Sequence, residues 1–103
     1  MDKITIDVGV HTLLIIDLTN YDFTGVEKLI LTIKNSIEEN APPVIEREFT
    51  TPELHTITIS PEESHRIAYG AVYDFNRVND KGERFKEGEN GEITLRRGCG
   101  QCK

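Results

Sequence analysis

Cys99-Gly100-Gln101-Cys102 is the stretch of this chain closest to a reactive or metal-binding motif. Two thiols separated by two residues have the spacing of a thioredoxin-type dithiol, and the same spacing supplies half of a zinc knuckle. Dithiol redox chemistry needs a helix behind the first thiol, whose N-terminus lowers its pKa, and here only Lys103 follows. Zinc needs four ligands, and there is no second cysteine pair. His11, His55 or His65 would have to complete the set, or a second copy would have to supply two more thiolates. Cys99 and Cys102 are therefore read as a reduced tail, with an intermolecular metal site or disulfide as the alternative. No cofactor is expected.

The remaining candidates for chemistry do not assemble into a catalytic set. His55 falls on a strand face with Ile57 and Ile59, and His65 lies in a short helix beside Glu62 and Arg66. No Ser or Cys is read as a nucleophile in a sharp strand-to-helix turn. Gly88, Gly91, Gly98 and Gly100 are turn and tail glycines and precede no helix, so they form no phosphate cradle. The carboxylate pairs Glu62 with Glu63 and Asp17 with Asp22 are unremarkable in an acidic chain. Asp74, between Tyr73 and Phe75, is expected to accept backbone or hydroxyl hydrogen bonds at the base of a loop. The expectation is a protein without catalytic residues.

Composition narrows the classes further. The 103 residues are 37% hydrophobic and 29% charged, with no Trp, which suits one small globular domain. The formal charge of −6 argues against binding a phosphate backbone, which needs clustered Lys and Arg. Residues 1–79 hold 13 acids and 6 bases, while residues 80–103 hold 5 and 6, so the body is acidic and the C-terminal part mildly basic. No apolar run approaches the roughly 20 residues of a membrane helix, and the N-terminal MDKITIDV lacks a secretory apolar stretch. Neither nucleic acid nor membrane is expected as a partner.

The elements that would position these groups are strands. Lys3–Val8 alternates apolar and polar residues with the period of a half-buried strand, and His11–Leu18 is a β-branched apolar run. Glu27–Lys34 sets Leu29, Leu31 and Ile33 on one face and Lys28, Thr32 and Lys34 on the other, with Ile30 the misfit. Asn35–Pro43 is polar, ends in two prolines, and reads as an exposed loop. Val44–Thr50, Glu53–Ile59, Ala71–Val78, Glu83–Lys86 and Glu92–Arg96 complete the strands. Asn79-Asp80-Lys81-Gly82 marks a hairpin turn, and Glu87–Gly91 marks a second turn. Ser60-Pro61-Glu62-Glu63 opens one short helix near residues 61–66, with Ser60 as cap, Pro61 at the first position and Glu63 closing a capping box. Seven or eight short strands at about ten-residue spacing predict an all-β fold, a two-sheet antiparallel β-sandwich of Ig-like type. Residues 1–96 form the domain, and residues 97–103 a flexible tail.

Two groups of motifs carry a family resemblance. One is Asp22-Phe23-Thr24-Gly25-Val26 leading into Leu29–Lys34. The other is Ile57-Thr58-Ile59-Ser60-Pro61-Glu62-Glu63-Ser64, then Tyr69-Gly70, Val72-Tyr73-Asp74-Phe75 and Asp80-Lys81-Gly82. Together, over about residues 4–95, they resemble small β-sandwich structural domains of phages and prophages of Gram-positive bacteria, such as the N-terminal domain of the phage upper baseplate protein. The chain departs from that pattern at Ala71, where the group often has an aromatic, and in its CGQC tail. The resemblance implies a non-enzymatic tail or baseplate component acting through protein–protein contacts, with other virion subunits or copies of itself as partners. It also implies a place in the bacterial cytoplasm during assembly and then in the virion. The rival expectation is an Ig-like binding module for carbohydrate or a host surface. That module would show a stacked aromatic platform drawn from Tyr21, Phe23, Tyr69 and Tyr73.

Overall fold

A computed structural model describes residues 3–38 and 40–97. Seven strands and one short helix follow in order: β1 (Ile4–Val8), β2 (Thr12–Asp17), β3 (Val26–Lys34), β4 (Pro43–Phe49), β5 (Leu54–Ile59), α1 (Pro61–His65), β6 (Val72–Asn79) and β7 (Arg84–Arg97). They form a curled five-stranded sheet, ordered β1-β7-β6-β3-β4, and a separate two-stranded sheet of β2 and β5. The chain is mostly β, as its alternating apolar pattern requires.

β3 lies inside the larger sheet, between β6 and β4. Leu29, Leu31 and Ile33 point into the hydrophobic core, because side chains alternate along a strand. Ile45 and Phe49 of β4, Tyr73 of β6, Ile93 of β7, Ile6 of β1, and Ile16 and Ile59 from the smaller sheet join the same core. Ile30, the misfit of the alternation, points to the opposite face and is nonetheless buried, as is its neighbour Thr32. Polar side chains flank Ile30 on that face, with Glu48 of β4 and Asn76 of β6 standing directly opposite it in register.

Two sequence expectations need correction. The strands are not all antiparallel: β1 runs parallel to β7, in register from Ile4 opposite Ile93 to Val8 opposite Arg97. In addition, Glu83–Lys86 and Glu92–Arg96 are not separate strands. They belong to one 14-residue β7, whose first half pairs with β6 and whose second half pairs with β1. The expected turn at Glu87–Gly91 is a bulge instead. Glu87 pairs with Phe75 and Gly91 with Tyr73, so three residues of β7 stand against Asp74 alone. Gly88 takes a positive φ of 73°, which a residue with a side chain adopts at a cost.

The helix forms as its capping chemistry dictates. Ser60 accepts from the Glu63 N–H at 3.1 Å, and the Glu63 carboxylate accepts from the Ser60 N–H at 3.0 Å. Its one fully buried side chain, Ser64, ties it to the β1–β2 turn: the Gly9 N–H donates to Ser64 Oγ at 3.0 Å, and Ser64 Oγ donates to the Pro61 carbonyl at 2.6 Å.

Candidate functional site

The residues that the sequence marks for chemistry are scattered. Cys99 and Cys102 lie outside the described residues, and with them the metal or disulfide reading of the tail. β7 includes Arg97, which the sequence assigns to that tail. His11 and His65 are exposed, whereas His55 is half-buried, its Nε2 2.9 Å from the Thr51 carbonyl and its ring against Phe49. Among the described residues no three His, Cys, Asp or Glu side chains gather as metal ligands would. Asp17 and Asp22 each accept hydrogen bonds within their own turns, from Thr19 and Thr24, which hold both carboxyls below the usual aspartate range.

The four candidate aromatics form no common platform. Tyr73 is a core residue, and Tyr21 and Phe23 meet edge to face beside the core at 4.9 Å. Only Tyr69 is largely exposed. Tyr21 Oη donates to Glu87 Oε2 at 2.8 Å, and Arg77 Nη1 donates to Glu87 Oε1 at 2.9 Å while its guanidinium lies over the Phe85 ring. Partial burial, and then the Glu87 carboxylate, raise the Tyr21 hydroxyl to about 12.

Two surfaces emerge that sequence reading did not single out. The first is the outward face of the β2–β5 sheet. Because side chains alternate, Ile16 and Ile59 turn inward while Leu13, Ile15 and Leu54 turn out, at 68%, 66% and 55% exposure. Thr56 and Thr58 stand opposite Ile15 and Leu13, so this face carries two rows of uncharged side chains. Asp17 at its end is the one charge on it. Among the described residues β2 and β5 form ladders only with each other, so no strand covers their outer edges, where Arg47 Nη2 reaches the Thr58 carbonyl at 3.2 Å. The run HTLLIID contained the signal: a strand apolar at both alternating positions needs cover on both faces.

The second surface is the face of the five-stranded sheet opposite the core. Here Asp74 is buried, accepts a hydrogen bond from Asn76 Nδ2 at 2.9 Å, and has Lys34 Nζ 4.0 Å away. Among the described residues its hydrogen-bond donor is a side-chain amide, where the sequence suggests a backbone or hydroxyl donor. Arg84 arches across the curl to within 3.5 Å of Glu46 and 3.4 Å of Thr32 Oγ1. Together with Lys86 and Asn90, these side chains line an open groove of about 670 Å³, with Ile37, Ala41 and Pro43 of the β3–β4 connection at its lip. Asn35 anchors that connection, donating to the Arg66 carbonyl at 3.0 Å and accepting from the Ala68 N–H at 2.8 Å. Asn90 Oδ1 is buried without a hydrogen-bond partner among the described residues.

Compared with protein-family models, with curated protein sequences and with solved structures, the chain matches none.

Proposed function

We propose that this chain is a non-enzymatic structural protein of a phage or prophage, a tail or baseplate component that works through protein–protein contacts. In this reading the two sheets are an Ig-like β-sandwich, made in the bacterial cytoplasm and then carried in the virion. The motifs at Asp22–Lys34 and Ile57–Gly82 support the phage part of the reading.

The observation that carries the contact function is the outward face of β2–β5, with Leu13, Ile15 and Leu54 exposed between open strand edges. Burying such side chains contributes about 1.5–3 kcal/mol each when complete, so their exposure leaves a strong incentive for cover. The occupant we assign is a second copy of the chain. Copies that each carry a charge of −6 repel one another, and this face lets them meet where charge is nearly absent.

Light scattering over a concentration series tests the reading. The wild type should form a discrete oligomer whose mass is indifferent to reductant and chelator, and Leu13→Lys with Ile15→Lys should return it to a monomer. A wild-type monomer at all concentrations would overturn self-association. A mass that collapses with reductant or chelator would transfer the contact to Cys99 and Cys102. For the phage part, an antibody to the chain should label the tails of particles induced from the source bacterium.

A further inference from the structure

The outward face of β2–β5 ends at the outer edge of β2, and that edge has a hydrogen-bonding pattern of its own. The geometry points to a second contact between copies, in which β2 pairs antiparallel with β2 of another copy across a twofold axis at Leu14. That axis sets Leu13 opposite Ile15, and Asp17 opposite His11. The pairing rests on the self-association proposed above and gives it a strand, a direction and a register.

The open main-chain groups follow from the ladder. The Leu18 N–H donates to the Glu53 carbonyl at 3.1 Å, so these two form a hydrogen-bonded pair at the end of β2–β5. Such pairs alternate along antiparallel strands, so Thr12, Leu14 and Ile16 direct their main-chain groups to Ile59, Ile57 and His55. Leu13, Ile15 and Asp17 therefore turn theirs away from β5, toward the edge that no strand covers. Among the described residues no hydrogen bond reaches those groups. The other edges are less open. Arg47 occupies the Thr58 carbonyl of β5 at 3.2 Å, and Thr12 Oγ1 accepts from the Asp7 N–H of β1 at 2.9 Å and donates to its carbonyl at 3.3 Å. β4 begins with a proline and carries the consecutive charges Glu46, Arg47 and Glu48.

Side chains choose the register. A twofold contact is isologous, so β2 runs antiparallel to its copy. His11 is exposed, lies two residues before Leu13, and continues the outward row of Leu13, Ile15 and Asp17. An axis at Leu13 would set His11 against Ile15, and an axis at Ile15 would set Asp17 against Leu13. The axis at Leu14 packs Leu13 on Ile15 on both sides of the twofold and brings each Asp17 to a His11. Asp17 Oδ1 already accepts from the Thr19 N–H and hydroxyl, at 3.0 and 2.7 Å, whereas Oδ2 accepts nothing among the described residues. An imidazole N–H of His11 supplies the donor that Oδ2 lacks. The run His11–Asp17 is thus its own complement when read in the opposite direction.

The test is amide hydrogen exchange of the full chain by NMR over a concentration series, with light scattering on the same samples. The Leu14 and Ile16 amides, which point to β5, should be protected at every concentration, while those of Leu13 and Ile15 should slow ~10-fold or more as the oligomer forms. His11→Asp and Asp17→His should each weaken association about three- to tenfold. An equal mixture of the two variants should recover most of that loss, because each carboxylate then faces an imidazole. An oligomer whose Leu13 and Ile15 amides exchange as fast as in the dilute chain would overturn the edge pairing and leave the apolar face as the contact. Mixing without recovery would overturn the register at Leu14. A chain that stays monomeric at every concentration would overturn the edge pairing together with the self-association beneath it.

Discussion

Arg47 and Glu63 join the two sheets through a single nitrogen. Arg47 Nη2 lies 2.9 Å from each oxygen of the Glu63 carboxylate and 3.2 Å from the Thr58 carbonyl. Arg47 stands on β4, on the core side opposite Leu31, whereas Glu63 belongs to the helix that continues from β5. The same carboxylate closes the capping box, so one side chain starts the helix and fastens it to the larger sheet.

Acid should weaken this junction in a defined way. Burial on its own would raise the Glu63 carboxyl, but the Ser60 N–H and the Arg47 guanidinium outweigh it and hold the group below its ordinary value of 4.5. A carboxyl depressed in the folded state adds stability above its unfolded pKa, and that stability is lost as pH falls through the folded value. Denaturant titrations of wild type and Glu63→Gln should therefore differ most above the ordinary value of 4.5 and converge as pH falls below it, through the lowered folded value. At neutral pH, Glu63→Gln should cost ~1–3 kcal/mol, against less than ~0.5 kcal/mol for the exposed neighbour in Glu62→Gln. A difference between the curves that stays constant with pH would contradict the assignment.

Ser64→Ala should be more damaging than its size suggests. The hydroxyl is fully buried, and its loss leaves the Gly9 N–H without an acceptor at the β1–β2 turn. The expected loss is ~1–3 kcal/mol in urea unfolding, with faster amide exchange at Gly9. An unchanged Gly9 exchange rate would show that the hydroxyl does not hold the turn.

Much of this frame could be read in advance, because it rests on local periodicity. Leu29, Leu31 and Ile33 alternate into the core, and the Ser60–Glu63 box starts a helix where its spacing requires. The failures come from long-range pairing. Gly88 and Gly91 look like turn residues, and only the partners β6 and β1 turn the segment into one bulged strand. The groove was equally hidden: Thr32, Asp74 and Arg84 come from three strands, and of the three only Asp74 stands out in the sequence. The burial of Thr32 and Asp74 beside the exposed Arg84 depends on strand pairing that no local pattern encodes.

Gly91 is required by its neighbour and not by its own backbone. A Cβ at this position would overlap the Tyr73 ring, which is a buried core side chain. Gly91→Ala should lower stability by ~1–3 kcal/mol, as overpacked cores do, measured as a shift in the denaturant midpoint without a change in slope. Adding Tyr73→Leu to Gly91→Ala should cost less than the sum of the two single changes, since the smaller side chain vacates the space that the new methyl needs. Strict additivity would mean that the ring is not what excludes a side chain at Gly91.

Alkali should expose the Tyr21–Glu87–Arg77 cluster. Partial burial and the Glu87 carboxylate raise the Tyr21 hydroxyl from 10.0 to about 12 in the folded chain. A proton held more tightly when folded adds stability that is whole below the unfolded pKa and is lost as pH rises through the folded one. Stability should therefore begin to fall near pH 10 and continue falling toward pH 12. Spectrophotometric titration should show Tyr21 ionising near the top of that window. In Tyr21→Phe the absorbance change there should shrink, and the variant should lose less stability than wild type between pH 10 and pH 12. An alkaline titration unchanged in Tyr21→Phe would show that the Glu87 contact does not raise this hydroxyl.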